Sequence, residues 1–173
     1  MILRFPFLPL AALAALSLAT PANAGPVECE AIQNSFKAVS AVPGYRQLIE
    51  VTAPQASKME FVVTAETIYA QISGKWTKIP LRAGARASML ANILETATIS
   101  DCTEVRAETL PAGRMKVYRY TMTPIKPKSG PALPGGPVES EIWVGVADGL
   151  AHRVVSPNTR VDLDFRTQIP PIP

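Results

Sequence analysis

One histidine, His152, and two cysteines, Cys29 and Cys102, are all the chain holds of those residue types. A lone histidine leaves no His-x-x-x-His pair for a metal and no His-Glu pair for metal-assisted hydrolysis. Two cysteines far apart in sequence give neither zinc-ligand spacing nor a Cys-x-x-Cys redox pair. Gly-x-Ser-x-Gly and Ser-x-x-Lys are missing, so no serine is placed for nucleophilic attack. Phosphate loops of the Walker or Rossmann type are missing too; Gly135-Gly136 lies between prolines ahead of a strand-like segment. Charged residues make up only 18% of the chain and the net charge is +3, too little for a dense nucleic-acid-binding face. These absences predict a protein without catalytic chemistry, cofactor, bound metal or nucleic-acid partner.

Long apolar runs are nearly absent as well. The one conspicuous run, Leu8 to Leu18, is too short to cross a bilayer as a helix, so no permanent membrane anchor is expected. Arg4 precedes it and Ala22-Asn23-Ala24 follows, the charged, apolar and small-x-small order of a cleavable export signal. We therefore expect residues 1–24 to be removed, and the product to begin at Gly25 in the periplasm. Gly25-Pro26-Val27-Glu28 is not a lipobox, so lipidation at Cys29 is not expected. What remains, roughly 150 residues, is one domain's worth of chain. In an oxidising compartment Cys29 and Cys102 read first as a disulfide and second as two buried thiols.

Periodicity then orders the chain. Cys29, Ile32, Phe36 and Val39 recur at helical spacing, and Ala41 to Gly44 stops that helix. Gln47–Thr52 and Lys58–Thr64 read as strands. Thr67–Ile72 and Lys75–Ile79 flank Ser73-Gly74, a hairpin signal. A second helix fits Gly84–Ala97, with Leu90, Ile93 and Leu94 on its apolar face. Strands resume at Thr103–Leu110, Met115–Thr123, Glu141–Val146, Ala151–Ser156 and Arg160–Arg166. In Met115–Thr123 the residues Tyr118, Tyr120 and Met122 share one side; Met115, Val117, Arg119 and Thr121 share the other. Between these strands, residues 124–137 hold five prolines and three glycines. That stretch is neither strand nor helix, and loops of that length tend to be functional. The tail, Ile169 to Pro173, is expected to be extended.

Short turns require antiparallel neighbours. The order predicts an α+β protein: one strongly curved antiparallel sheet, a half-barrel of about eight or nine strands, with two helices on its concave face. Three groups of residues are candidates for function. Tyr69, Trp76, Tyr118, Tyr120 and Trp143 fall in strands, where packing is the ordinary role. In a curved sheet closed by helices they would, with Phe36, Phe61, Leu90, Ile93 and Leu94, line a cavity for an acyl chain. Arg106, Arg114, Lys116, Arg119, Lys126 and Lys128 face a single acid, Glu108, between residues 106 and 128. They form either a solvated face or a docking surface for anionic lipid or an acidic partner. The carboxylate pairs Glu139/Glu141 and Asp162/Asp164 each share a strand face, and His152 opens a strand; both read as structural or solvated.

Several segments together are familiar. They are Glu66-Thr67-Ile68-Tyr69-Ala70-Gln71-Ile72-Ser73-Gly74-Lys75-Trp76-Thr77-Lys78, then Asp101-Cys102-Thr103, Val117-Tyr118-Arg119-Tyr120, and Glu141 to Leu150 with His152-Arg153. This series resembles periplasmic proteins of the LolA/LolB-like lipoprotein-carrier superfamily. The resemblance implies a half-closed, curved antiparallel sheet with helices plugging its mouth. It further implies a carrier of lipid or lipoprotein or, as the alternative, an envelope interaction or stress-sensing protein that meets a protein partner through the Pro/Gly loop and the basic strand. It assigns no role to any single residue.

Overall fold

The structure, a computed structural model, describes residues 26–72, 74–125 and 136–166. The expected export signal (1–24), Ser73 of the first hairpin, most of the Pro/Gly segment including Lys126 and Lys128, and the tail from Ile169 lie outside the described residues.

Helix α1 (Pro26–Ala41) follows from the apolar stripe. Ile32 and Val39 are fully enclosed, with Cys29 and Phe36 half-buried beside them. Pro26 occupies the helix's first position, where its missing N–H costs nothing. Strands β1 (Gly44–Val51), β2 (Ser57–Thr64), β3 (Thr67–Ile72) and β4 (Lys75–Pro80) come next, followed by helix α2 (Ala85–Thr96). The second half is β5 (Ala97–Leu110), β6 (Gly113–Pro124), β7 (Val138–Gly145), β8 (Ala151–Ser156) and β9 (Thr159–Asp164).

All nine strands join one antiparallel sheet in the order β4-β3-β2-β1-β9-β8-β7-β6-β5, curled but not closed. It consists of two meanders, β1–β4 and β5–β9, stitched together by β1 against β9 from Arg46↔Asp164 to Val51↔Thr159. Helix α2 therefore links the two free edges. Helix α1 packs on β5 to β8, whereas α2 rests chiefly on α1 and β5. The curved α+β sheet expected from the strand order is present.

Strands β1 and β7 each start three residues earlier than expected, at Gly44 and Val138, and the largest difference is in β5. Strand β5 starts at Ala97, directly after α2, rather than at Thr103. Thr98 and Ile99 are β-branched and continue the chain as strand. Asp101 then takes a left-handed conformation (φ 54°), its carboxylate accepting from Ser100 Oγ at 2.9 Å. The register against β6 slips between Ser100 and Thr103 at this point. Such a bulge bends the strand and turns Cys102 inward. There its sulfur bonds Cys29 of α1, with Cα atoms 5.2 Å apart.

Both sheet faces carry apolar side chains. The inner face holds the main core with α1: Tyr45, Val63, Ile99, Tyr118, Tyr120, Ile142 and Val144. The outer face has a smaller cluster of Met115, Val117 and Trp143, flanked by Val105, Leu110 and Val155.

Candidate functional site

Helix α1 covers only half of the concave face. Away from the strands on which α1 chiefly packs, a cavity of about 680 Å3 opens between α1 and the inward side chains of β1, β2, β3, β4 and β9. Phe36 and Val39 of α1 form one wall. Phe61 and Val63 of β2, Ile68 of β3 and Ile79 of β4 form the opposite wall, and Met122, Val154, Val161 and Leu163 make the floor. Ile79 and Val138 are 42% and 38% exposed, so the apolar lining runs out to the rim. Volumes of about 300–1,000 Å3 are typical of small-molecule sites.

Few polar groups enter. Tyr120, 1% exposed, stands directly across the β6–β7 ladder from Ser140, whose Oγ lies 2.8 Å from Ser156 Oγ on β8. The Ser140 hydroxyl is the neighbour that acts on the Tyr120 hydroxyl, but among the described residues no group stands in good hydrogen-bond geometry to it. Burial pushes its ionisation up to about 12, against a smaller opposing pull from Ser140, so it is a neutral donor. Burial likewise raises Tyr45, with Arg86 pulling the other way. Arg86, in the first turn of α2, is tied to the end of α1. Its guanidinium donates to the carbonyls of Pro43 (3.0 Å), Ser40 (2.8 Å) and Val42. It thus satisfies carbonyls that a helix C-terminus leaves bare.

The structure divides the aromatic candidates between the two faces. Phe36, Phe61 and Tyr120 line the cavity. Tyr118 shares their face but is packed into the core, as is Leu94. The side chains of Leu90 and Ile93 lie outside the description; among the described residues Phe36 and Val39 of α1 and Arg86 of α2 line the helix side of the cavity. Tyr69, Trp76 and Trp143 have the opposite parity to Ile68, Ile79 and Ile142 on their strands and so belong to the outer face. Lys78 sits 5.8 Å over the Tyr69 ring. Trp143 lies between Arg106 and Arg153, whose guanidinium carbons are 5.3 and 5.5 Å from its centroid. Tyr45, Val63, Ser140, Ser156 and Leu163 went unnoticed in the sequence; only their parity with Phe61 and Tyr120, once the inner face is known, marks them.

Three of the six basic candidates, Arg106, Lys116 and Arg119, are paired with carboxylates. Arg106 donates to both oxygens of Glu141 (3.1 and 2.8 Å), and Lys116 reaches Glu104 at 2.9 Å. Arg119 lies 3.6 Å from Glu141 and 3.7 Å from Glu139. Arg114 is exposed, and its carbonyl accepts from the Val146 amide at 2.9 Å. Counting charges along residues 106–128 omits these acids, which neighbouring strands and Glu104 supply. Asp162 and Asp164 are also paired, with Arg153 and Arg160 and with Arg166 respectively. His152 is buried, its Nε2 2.9 Å from Asp148 Oδ2, and Phe165 packs edge-on against its ring. Gly145 leaves the space that Asp148 needs, since a Cβ there would stand 2.1 Å from Asp148 Oδ1. Among the described residues no group of three or more His, Cys, Asp or Glu side chains is placed to hold a metal ion. No described helix is long and apolar enough to cross a membrane.

No protein-family model and no curated protein matches the chain. Solved structures do. LprF from Mycobacterium bovis superposes with a TM-score of 0.55 at 13% identity, over 87% of this chain and 99% of LprF. The Mycobacterium tuberculosis lipoprotein LppX superposes with a TM-score of 0.51 at 8% identity, over 80% of this chain and 94% of LppX. The chain shares the fold of LprF and LppX.

Proposed function

We propose that this chain is an exported binding or carrier protein of the periplasm that encloses an acyl chain, of a lipid or lipoprotein, in its concave cavity and performs no catalysis. One observation carries the reading. The sheet presents a continuous apolar lining from the Tyr120 floor to the exposed rim at Ile79 and Val138, and α1 covers only one side of it. An apolar surface of that shape is stabilised by an apolar occupant. LppX is a lipoprotein, a class of the cell envelope, which agrees with the export signal read at residues 1–24. In this chain, however, the Cys29 sulfur is committed to Cys102, so a lipid thioether at that residue is not compatible with the fold.

The alternative is a protein partner met through the Pro/Gly loop and the basic strand; most of the loop lies outside the described residues, and the strand gives it less support. Arg106, Lys116 and Arg119 already face carboxylates and leave little net charge to recruit an acidic surface.

Native mass spectrometry of the protein purified from a periplasmic extract, before and after delipidation, tests the carrier reading. The expected result is a mass shift on delipidation and uptake of a fluorescent acyl probe by the stripped protein. Equal masses together with no probe uptake overturn it.

A further inference from the structure

The cavity floor keeps a hydroxyl that packing does not require. A phenylalanine would fill the same space at Tyr120, yet the chain buries a phenol there, close enough to the Ser140 hydroxyl to feel it but without a hydrogen bond of good geometry to it. A buried donor left unmade is a destabilising feature, retained where something else accepts from it. Its neighbour across the ladder, Ser140, is itself buried and shares one hydrogen bond with Ser156. One of those two hydroxyls donates to the other, and the other keeps its own proton free to donate. The three residues all line the cavity, on the adjacent strands β6, β7 and β8. They form a patch that offers two donors inside a mostly apolar space, whose other polar side chains are Tyr45, Gln47 and Arg86.

Among the described residues one cation, Arg86, lines the same cavity, but its guanidinium donates to three carbonyls at the end of α1. The influences acting on Tyr120 are burial and Ser140, while Arg86 is held at the end of α1 and acts on Tyr45. An ionised carboxylate placed at Tyr120 would lose its hydration, while the Arg86 guanidinium is already engaged by carbonyls at the end of α1. A neutral carbonyl oxygen would accept from the phenol without that penalty.

We infer that the cavity selects acyl ligands carrying an uncharged hydrogen-bond acceptor, an ester carbonyl, seated against the Tyr120 hydroxyl. Plain hydrocarbon and the ionised free fatty acid bind more weakly. The inference rests on the cavity being the ligand site.

Displacement of a fluorescent polarity probe by methyl palmitate, hexadecane and sodium palmitate tests it, on the full exported protein and on Tyr120→Phe and Ser140→Ala. Wild type is expected to prefer methyl palmitate over hexadecane on the order of tenfold. Tyr120→Phe should erase that preference and leave hexadecane affinity unchanged; Ser140→Ala should reduce it. Thermal melts check that both variants are folded. An ester preference unaltered in both variants, or palmitate binding more tightly than its ester, overturns the inference and leaves the carrier reading standing. Failure of every ligand to displace the probe from wild type overturns the carrier reading and this inference with it.

Discussion

The indole N–H of Trp143 donates to the carboxylate of Glu108 at 2.9 Å, reaching past β6 over the outer face of the sheet. Together with the guanidinium groups of Arg106 and Arg153, this bond fixes a large aromatic ring on the side of the sheet away from the cavity. Trp143 is 5% exposed and packs on Met115 and Val117. Trp143→Ala should cost about 3–5 kcal/mol of stability by denaturant titration, in line with other buried aromatic truncations. Acyl-probe affinity of the folded fraction should be unchanged. A stable Trp143→Ala protein that no longer binds the probe would contradict the outer-face placement.

The Cys29–Cys102 bridge spans 73 residues and pins α1 to β5, the helix to the strand it covers. Closing a loop of that length removes about 4 kcal/mol of unfolded-state entropy in the chain-entropy model. Replacing both cysteines by alanine should therefore lower Tm by on the order of 10 °C. A reductant should shift the wild-type melt and leave the variant's melt where it is.

Acid should weaken the outer face through Glu141. Hydrogen bonding from Arg106 holds its carboxyl below the ordinary 4.5, outweighing the opposing effect of burial, with Arg119 adding to the pull. The folded value lies below the unfolded one, so the stabilisation is complete above the unfolded value and is lost as pH falls through the folded one. Both partners are partly exposed, with side chains 42% and 25% accessible, which limits the effect to about 1 kcal/mol. Glu141→Gln should be the less stable protein at neutral pH, and the gap should close on titrating downward from about pH 5. Urea unfolding across that range reads it; a gap independent of pH would count against the ion pair.

Ligand chain length should govern affinity if the cavity of about 680 Å3 is the binding site. Each buried methylene contributes about 0.8 kcal/mol, roughly fourfold in Kd, so affinity should climb through a series of methyl esters and level off once the cavity is full. Calorimetry on such a series gives the slope. A flat dependence would mean that the acyl chain stays outside.

Much of this molecule was legible before any fold was known because strand signals are local. The Ser73-Gly74 hairpin, the alternation in Arg160–Arg166 and the helical spacing of Cys29, Ile32, Phe36 and Val39 each depend on a few consecutive residues. Parity was legible for the same reason: the pleat alone puts Tyr118, Tyr120 and Met122 on one side. The start of β5 was not legible, because Asp101 adopts a left-handed backbone that ordinary strand patterns do not announce. The basic cluster was misleading on its own, since Glu141, which pairs with Arg106, lies 35 residues away in the chain.

The sequence by itself determined the order and kind of elements, the pairing partners within each meander, and the two cysteines available for a bridge. All of these follow from turn length, backbone pleat and residue count. Tertiary structure decided which parity faces inward, since that depends on where α1 packs against the curled sheet. It also decided the β1–β9 seam, a pairing between strands at opposite ends of the chain that no turn specifies. That seam brings Phe61 of the first meander opposite Tyr120 of the second, and it creates the cavity whose floor Tyr120, Ser140 and Ser156 share.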